Sequence, residues 1–377
     1  MALSRRTFVA GSSALAATSF LASCGSPIQG RTLGASANIR VINWFEYIDQ
    51  ATVPRIAFDT GVSVTYDEGT PDNNTYPDNV TGWDTIIEPQ LSNGGTPNFD
   101  LIVPTNWLAA RMIDRGWVEP LPLELIPNHV NIDPAFLTND WDRGSRFQMP
   151  WQAGITGIAY NPALTGGPVT SIAQLFSPEF AGRVGLIGEM REAVGLAMLL
   201  NGDDPSSPTP RSARAGLRVI TDAAARGHFQ SVVFFDFVDK LQSGELAATM
   251  AWSGQTALLQ LDRPDIEFSI PDEGGISWFD TMVIPRNARG AQGAARWMNW
   301  AYDPVNAAEI SAFNLYVCPV LGTQQALRDI GDEETASNPL IFPDAQTRNR
   351  LFTWGTLDEA TEREIEQEFD DLVNSFG

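Results

Sequence analysis

Pro271-Asp-Glu-Gly-Gly-Ile-Ser-Trp-Phe-Asp-Thr-Met-Val-Ile-Pro285 is a turn followed by a strand, and the rest of the chain can be laid out around it. Gly274-Gly275 supplies two permissive backbone positions after an acidic pair, the composition of a turn. Ile276 to Ile284 is rich in β-branched and aromatic residues and predicts a strand that Pro285 ends. Alternation puts Ile276, Trp278, Asp280, Met282 and Ile284 on one face, and Ser277, Phe279, Thr281 and Val283 on the other. A carboxylate two residues from an indole, shielded from water, suits an alkylammonium: an ionic hydrogen bond at the head and a cation–π contact along the flank. The same pattern also describes an aromatic core strand whose Asp280 caps a neighbouring turn. The stretch alone leaves both readings open.

Upstream, Ile39 to Trp44 reads as a strand, followed by a helix over Gln50 to Thr60 that Gly61 closes, and a second strand over Val62 to Tyr66. A long polar loop, Asp67 to Gly82, leads to a helix around Trp83 to Leu91. Phe99-Asp-Leu-Ile-Val-Pro104 is nearly continuously apolar, as strands of parallel sheets are. Thr105-Asn106-Trp107 then opens a helix through Met112. Strand, helix, strand, helix, strand predicts an open α/β sheet, whose ligands bind beyond the carboxyl ends of the strands. Trp44 and Trp107 both fall at such ends.

Phe147 to Asn161 is read as a crossing into a second lobe. There Ser171 to Phe176 predicts a short capped helix and Val184 to Ile187 a strand. Glu189-Met-Arg-Glu192 opens a helix to about Asn201, which would put Glu189 and Glu192 on one face of its first turn. Acids in a first turn are also favoured by the helix dipole whatever the function. A helix over Ala213 to Arg226, a strand over Ser231 to Phe235 and a helix over Phe237 to Gly244 precede the strand Leu246 to Trp252, again with an indole at its carboxyl end. Helices over Ala291 to Tyr302 and Pro304 to Ala312 follow, and Phe313 to Leu321 returns through the lobe boundary. The acidic segment Leu357 to Ser375 predicts a helix with Ile365, Phe369 and Leu372 as its apolar stripe and a solvated charged face.

The N-terminus reads as an address. Ser4-Arg5-Arg6-Thr7-Phe8 is a twin-arginine n-region, and Val9 to Leu21 is an apolar stretch too short to span a bilayer. Leu21-Ala22-Ser23-Cys24 has the form of a lipoprotein cleavage box. Residues 1–23 are thus expected to be a signal peptide removed after twin-arginine (Tat) export, with Cys24 acylated and 24–38 a flexible tether. The protein is expected at the outer face of the cytoplasmic membrane or in the periplasm, touching membrane only through its lipid. Removing 1–23 takes Arg5 and Arg6 from the 24 basic residues and leaves 22 against 46 acidic ones, a poor partner for nucleic acid and a good one for a small cation. With Cys24 consumed, Cys318 stands alone, so no internal disulfide is available. His129 and His228 have no neighbours at metal-ligand spacing, and no metal or cofactor is expected. About 350 residues suit two domains.

Taken in order, Asn43-Trp44-Phe45-Glu46-Tyr47, Asp100 to Pro104, Arg191-Glu192, Trp252-Ser-Gly254, Glu273 to Asp280 and Phe342-Pro-Asp-Ala345 resemble the periplasmic polyamine-binding proteins of spermidine/putrescine ABC transporters, over about residues 39–375. The resemblance implies a two-lobed α/β periplasmic binding protein of type II-like form, each lobe an open mixed sheet flanked by helices, with the ligand in the interlobe cleft. The lobes are expected as 39–147 plus 280–321 and 148–279 plus 322–377. It implies a box of aromatics from Trp44, Tyr47, Trp107, Trp252 and Trp278, and amine-binding carboxylates Asp280, Glu192 and Glu189. Thr105 would replace a small hydroxyl residue, with Glu46 and Gln255 as further ligand contacts. Partners would be a polyamine and the permease subunits of an importer, with the receptor itself a monomer. The sequence departs from the pattern at Phe45, where Thr or Ser is usual, at Phe234 or Phe235, where spermidine binders have a hydroxyl, and at Gln255, where some putrescine binders have a carboxylate. Two other readings stay open: the same fold holding a quaternary amine or an amino acid, and an exported enzyme using Glu189 and Glu192 as acid and base. Against the enzyme, the chain has no Gly-x-Ser-x-Gly elbow and no recognisable triad context for either His.

Overall fold

In the computed structural model, two long antiparallel strands join two sets of parallel strands. Residues 38–69 and 87–376 are described. The expected leader, Cys24, the tether up to residue 37, most of the loop from Asp67 and the start of the helix at Trp83 lie outside the described residues. Strands β1 (Asn38–Ile42), β2 (Ser63–Asp67) and β3 (Leu101–Ile102) pair in parallel in the order β2-β1-β3. On the other side β5 (Val184–Ile187), β6 (Phe229–Val233) and β7 (Ala248–Trp252) pair in parallel as β7-β5-β6. Between them run β4 (Gln148–Tyr160) and β9 (Gly275–Val283), antiparallel from Gln148↔Val283 to Thr156↔Ile276. One end of this ribbon meets β3 through Ile102↔Val283, and the other meets β7 through Thr156↔Trp252. The short strands β8 (Glu267–Ser269) and β10 (Leu351–Phe352) edge β4 and β9. The expected crossing at Phe147 to Asn161 is therefore one buried strand of 13 residues.

The helices follow local rules. Helix α1 (Val53–Thr60) has Pro54 in its first turn and ends at Gly61, whose φ of 68° closes it in the left-handed region. Helix α2 (Asn106–Asp114) starts after Thr105, and α3 (Met190–Leu200) starts after Glu189, so Glu189 stands at the cap with extended backbone while Glu192 lies inside the first turn. Helix α4 (Pro210–Ala225) begins with a reciprocal Thr209–Ser212 capping box. Helix α5 (Ser253–Asp262) starts directly at the end of β7, where the sequence reading saw only a strand end. The apolar run Phe99 to Pro104 yields only two ladder residues, although Asp100 donates to the Arg40 carbonyl and Val103 to that of Ile42, keeping the segment on the sheet. Helix α6 (Pro304–Asn314) docks beside the start of α1, Glu309 accepting from Thr52 and Arg55. Thr323–Asp329 and Glu333–Ala336 pack behind α6, through Ala308, Leu327 and Ala336. This packing keeps the chain beside α6 past the expected boundary at 321/322. The C-terminal helix α7 (Glu359–Asn374) lies on α3 and α4, with Ile365 and Phe369 buried as expected.

One close approach fixes the ribbon's shape. Gly154 pairs with Trp278, and a Cβ there would stand 2.2 Å from the indole ring. The missing side chain is what lets Trp278 fold across β4 and donate from Nε1 to Thr156 Oγ1 at 3.0 Å. Gly154→Ala should expel the ring and cost roughly 1–3 kcal/mol of stability, as overpacking does. Chemical denaturation measures this; an unchanged midpoint would mean that the ring has a second resting place.

Candidate functional site

Every strand of the two parallel sets ends at the same place. Beyond β1 come Trp44, Phe45 and Tyr47, beyond β2 Glu68, beyond β3 Thr105, beyond β5 Glu189 and Glu192, beyond β6 Phe234 and Phe235, and β7 ends in Trp252; all line one cavity, with Trp278 and Asp280 from β9 and Tyr316. The cavity holds about 240 Å³, against the roughly 10–15 Å³ that one buried water needs. A second hollow beside Trp151 and Gln152 holds about 10 Å³, a single water's worth.

Alternation along β9 is as the sequence predicts. Trp278 and Asp280 face the cavity, while Phe279 on the opposite face stacks against Trp141 at 6.3 Å between centroids. Asp280 is 2% exposed and accepts from Tyr47 Oη at 2.5 Å and Thr105 Oγ1 at 2.7 Å. Glu192 accepts from Thr156 Oγ1 and from Trp252 Nε1, the latter at 2.8 Å, both at its Oε2. Trp278, Thr156, Glu192 and Trp252 thus form one hydrogen-bonded chain across β9, β4, α3 and β7. Burial pushes both carboxyls up to about 7, against the opposing pull of these donors, and Asp280 adds to the rise at Glu192.

The rings form a closed collar. Tyr47 meets Tyr316 at 5.4 Å, Tyr316 meets Trp278 at 5.8 Å and Trp278 meets Trp252 at 6.5 Å. Trp252 meets Phe235 at 5.2 Å, and Phe235 meets Phe45 at 6.4 Å, two residues from Tyr47. All five ring contacts are tilted or edge-to-face, the arrangements aromatic quadrupoles favour.

Of the residues the sequence singles out, Trp44, Tyr47, Thr105, Glu189, Glu192, Trp252, Trp278 and Asp280 line the cavity, and Glu46, Trp107 and Gln255 do not. Glu46 has a φ of 56° at the tip of the turn between Trp44 and Tyr47, off the wall those two form. Gln255 lies behind the wall, hydrogen-bonded to Tyr316. Trp107 has its ring covered by the guanidinium of Arg191, 3.5 Å from its centroid. Five lining residues are not among the contacts the sequence predicts: Tyr316, Glu68, and the phenylalanines Phe45, Phe234 and Phe235, which the sequence marks only as departures from the pattern. Tyr316 has a signal in hindsight at Gly254, where a Cβ would stand 2.5 Å from its ring.

The lining contains four carboxylates, eight aromatic rings and Thr105, and no Lys, Arg or His. An anion or a zwitterion would meet only negative charge there. A cation with N–H groups would meet both the acceptors and the ring faces. Among the described residues no group of three or more His, Cys, Asp or Glu is arranged to hold a metal ion.

Residues 77–343 match the family described as bacterial extracellular solute-binding protein. The chain is 25% identical over 315 residues to spermidine/putrescine-binding periplasmic protein 1 of Haemophilus influenzae, covering 83% of each. It is 26% identical over 353 residues to the putrescine-binding periplasmic protein PotF of Escherichia coli, covering 89% of this chain and 90% of the relative. Its fold matches the crystal structure of the spermidine/putrescine ABC transporter substrate-binding protein PotD of Streptococcus pneumoniae with a TM-score of 0.74 at 22% identity, over 90% of this chain and 99% of that one. The strand-end cavity between two parallel sheets and these matches agree: the chain belongs to the bacterial extracellular solute-binding proteins and has their two-lobed α/β fold.

Proposed function

We propose that this protein is a receptor that captures a polyamine, putrescine or spermidine, for an ABC importer by closing its two lobes over it, and that it catalyses no reaction. The observation that carries the reading is the cavity lining, in which buried carboxylates face aromatic rings with no protein cation among them. Asp280 would pair one ammonium group and Glu192 another, since a buried ammonium without a carboxylate is prohibitively costly. Both donors to Glu192 meet Oε2, which leaves Oε1 for the ligand. The indoles of Trp44, Trp252 and Trp278 would flank the methylene chain, and Glu189 and Glu68 would supply further negative charge. Relatives named for spermidine and putrescine support the ligand class. The lack of cations in the lining disfavours an amino acid, whose carboxylate would have no partner. The lobes we propose are 39–147 with 280 to about 342, and 148–279 with the remainder, β4 and β9 forming the hinge. Export through the twin-arginine leader and anchoring through Cys24 rest on the sequence motif alone.

Isothermal titration with putrescine, spermidine and, as control, glycine betaine tests the reading. One polyamine should bind one-to-one, and Asp280→Asn should weaken it by at least a hundredfold, the usual loss for truncating a buried charged pair. Silence toward both polyamines, or undiminished affinity in the variant, would overturn it.

The carboxyls also set a pH dependence. With folded values near 7 and unfolded values near 4, the ligand-free protein holds protons that the unfolded chain has released between those limits. Each carboxyl therefore subtracts stability as pH rises across the window, and the loss is complete above about 7. A cationic ligand needs the charged forms, so affinity should rise with pH over the same interval. Replacing Asp280 by Asn should be more favourable to ligand-free stability at pH 8 than at pH 5, by on the order of 2 kcal/mol. Thermal unfolding at both pH values reads the difference, and an equal effect at each would mean that Asp280 ionises in the ordinary carboxylate range.

A further inference from the structure

A cation held between an indole and carboxylates occurs a second time in this protein, and there the cation is its own. Arg191 is 4% exposed and donates to Glu362 Oε1 from Nε at 3.1 Å and from Nη2 at 2.7 Å, and to Glu366 Oε1. Its guanidinium lies 3.5 Å from the centre of the Trp107 ring. Arg111, one turn along α2 from Trp107, lies 5.1 Å from the same ring and donates to Glu366 Oε1 at 3.3 Å. One turn further, Arg115 approaches Glu359 at 3.6 Å.

These contacts join parts of the molecule that the sheet keeps apart. Helix α2 follows β3 and belongs with β1 and β2; α3 and α7 belong with β5, β6 and β7. The acidic face of α7, expected to be solvated, is in part turned inward: Glu362 and Glu366 are 17% and 20% exposed. Burial would raise the Glu366 carboxyl, but Arg191 and Arg111 together hold it below the usual range, so it stays charged. A charged, half-buried pair with an aromatic flank is stronger than an exposed ion pair.

The cluster also abuts the cavity in sequence. Arg191 precedes Glu192, and Trp107 follows by two residues the Thr105 that donates to Asp280. Each ligand-facing stretch thus carries one half of the interlobe contact. We propose that Glu366 of the C-terminal helix, bridging Arg191 on one lobe and Arg111 on the other over Trp107, is a latch that holds the cleft closed and sets how long the ligand stays. It biases the open–closed equilibrium without touching the ligand, so it acts on dissociation more than on association or selectivity. The proposal uses the cleft of the reading above but not the identity of its ligand.

Glu366→Gln is the test, with Glu364→Gln as control, because Glu364 lies on the same helix but pairs with Arg214 inside one lobe. Stopped-flow displacement of putrescine and of spermidine should show dissociation about tenfold faster in Glu366→Gln, association within twofold of the parent, and Glu364→Gln like the parent. Raising the salt should speed release from the parent and leave Glu366→Gln nearly unchanged. Equal dissociation rates in the parent and both variants would overturn the latch. If neither amine binds, the ligand assignment fails by itself, and the latch is read from the distance between spin labels at exposed Phe58 and Arg226 on opposite lobes. A closed population lost in Glu366→Gln supports it, and one that persists removes it.

Discussion

Two carboxyl groups sit where water is largely excluded and no Lys, Arg or His lines the cavity, and most of the structure around them serves to make that tolerable. Burying a charge without a partner costs several kcal/mol, so the group either finds donors or takes up a proton. Asp280 and Glu192 do some of each. Their donors are neutral: Tyr47, Thr105, Thr156 and Trp252. Neutral donors lower the cost without cancelling the charge, and no Lys, Arg or His in the cavity lining does so either.

The donors explain why the sheet has this form. Tyr47, Thr105 and Trp252 stand at the ends of three different parallel strands, and Thr156 lies on the ribbon that joins the two sets. A site built from strand ends on both sides is complete only when the two sets face each other. Asp280 sits at the middle of that meeting, since its backbone bridges to Thr105 on one side and pairs with Gln152 on the other. The ring collar repeats the logic in apolar form, with Phe45 beyond β1 touching Phe235 beyond β6.

What the sequence made legible follows from these constraints. Aromatic residues at strand ends, Trp44 and Trp252, and the alternation of Trp278 and Asp280 along β9 were readable because they depend on local periodicity and strand direction. Trp107 has the same local signature as Trp44, yet its ring is taken by Arg191, 84 positions away in the chain and on another helix. Tyr316 was invisible for the converse reason. It is presented by a turn in which Leu315 takes a φ of 57° and Asn314 accepts from the Tyr316 amide, and it rests on Gly254, which only the folded chain brings near. Composition identified the acidic excess, but could not say that Glu362 and Glu366 turn inward to the buried Arg191 while Glu364 on the same helix meets Arg214 at the surface.

The two sets of parallel strands are joined across the cavity by two kinds of contact with different physics. The Phe45–Phe235 edge is apolar, indifferent to salt and weakly directional. The Arg191–Glu366–Arg111 bridge is ionic and geometrically demanding, and it sits partly screened from water where its strength exceeds that of a surface pair. An apolar contact alone would favour any compact arrangement of the lobes. The ionic bridge is satisfied in one arrangement only, because a single carboxylate oxygen must meet two guanidinium groups from different helices. Arg191 and Glu192 are consecutive residues of one helical turn, so the turn that carries the bridge also carries the carboxylate held by Thr156 and Trp252.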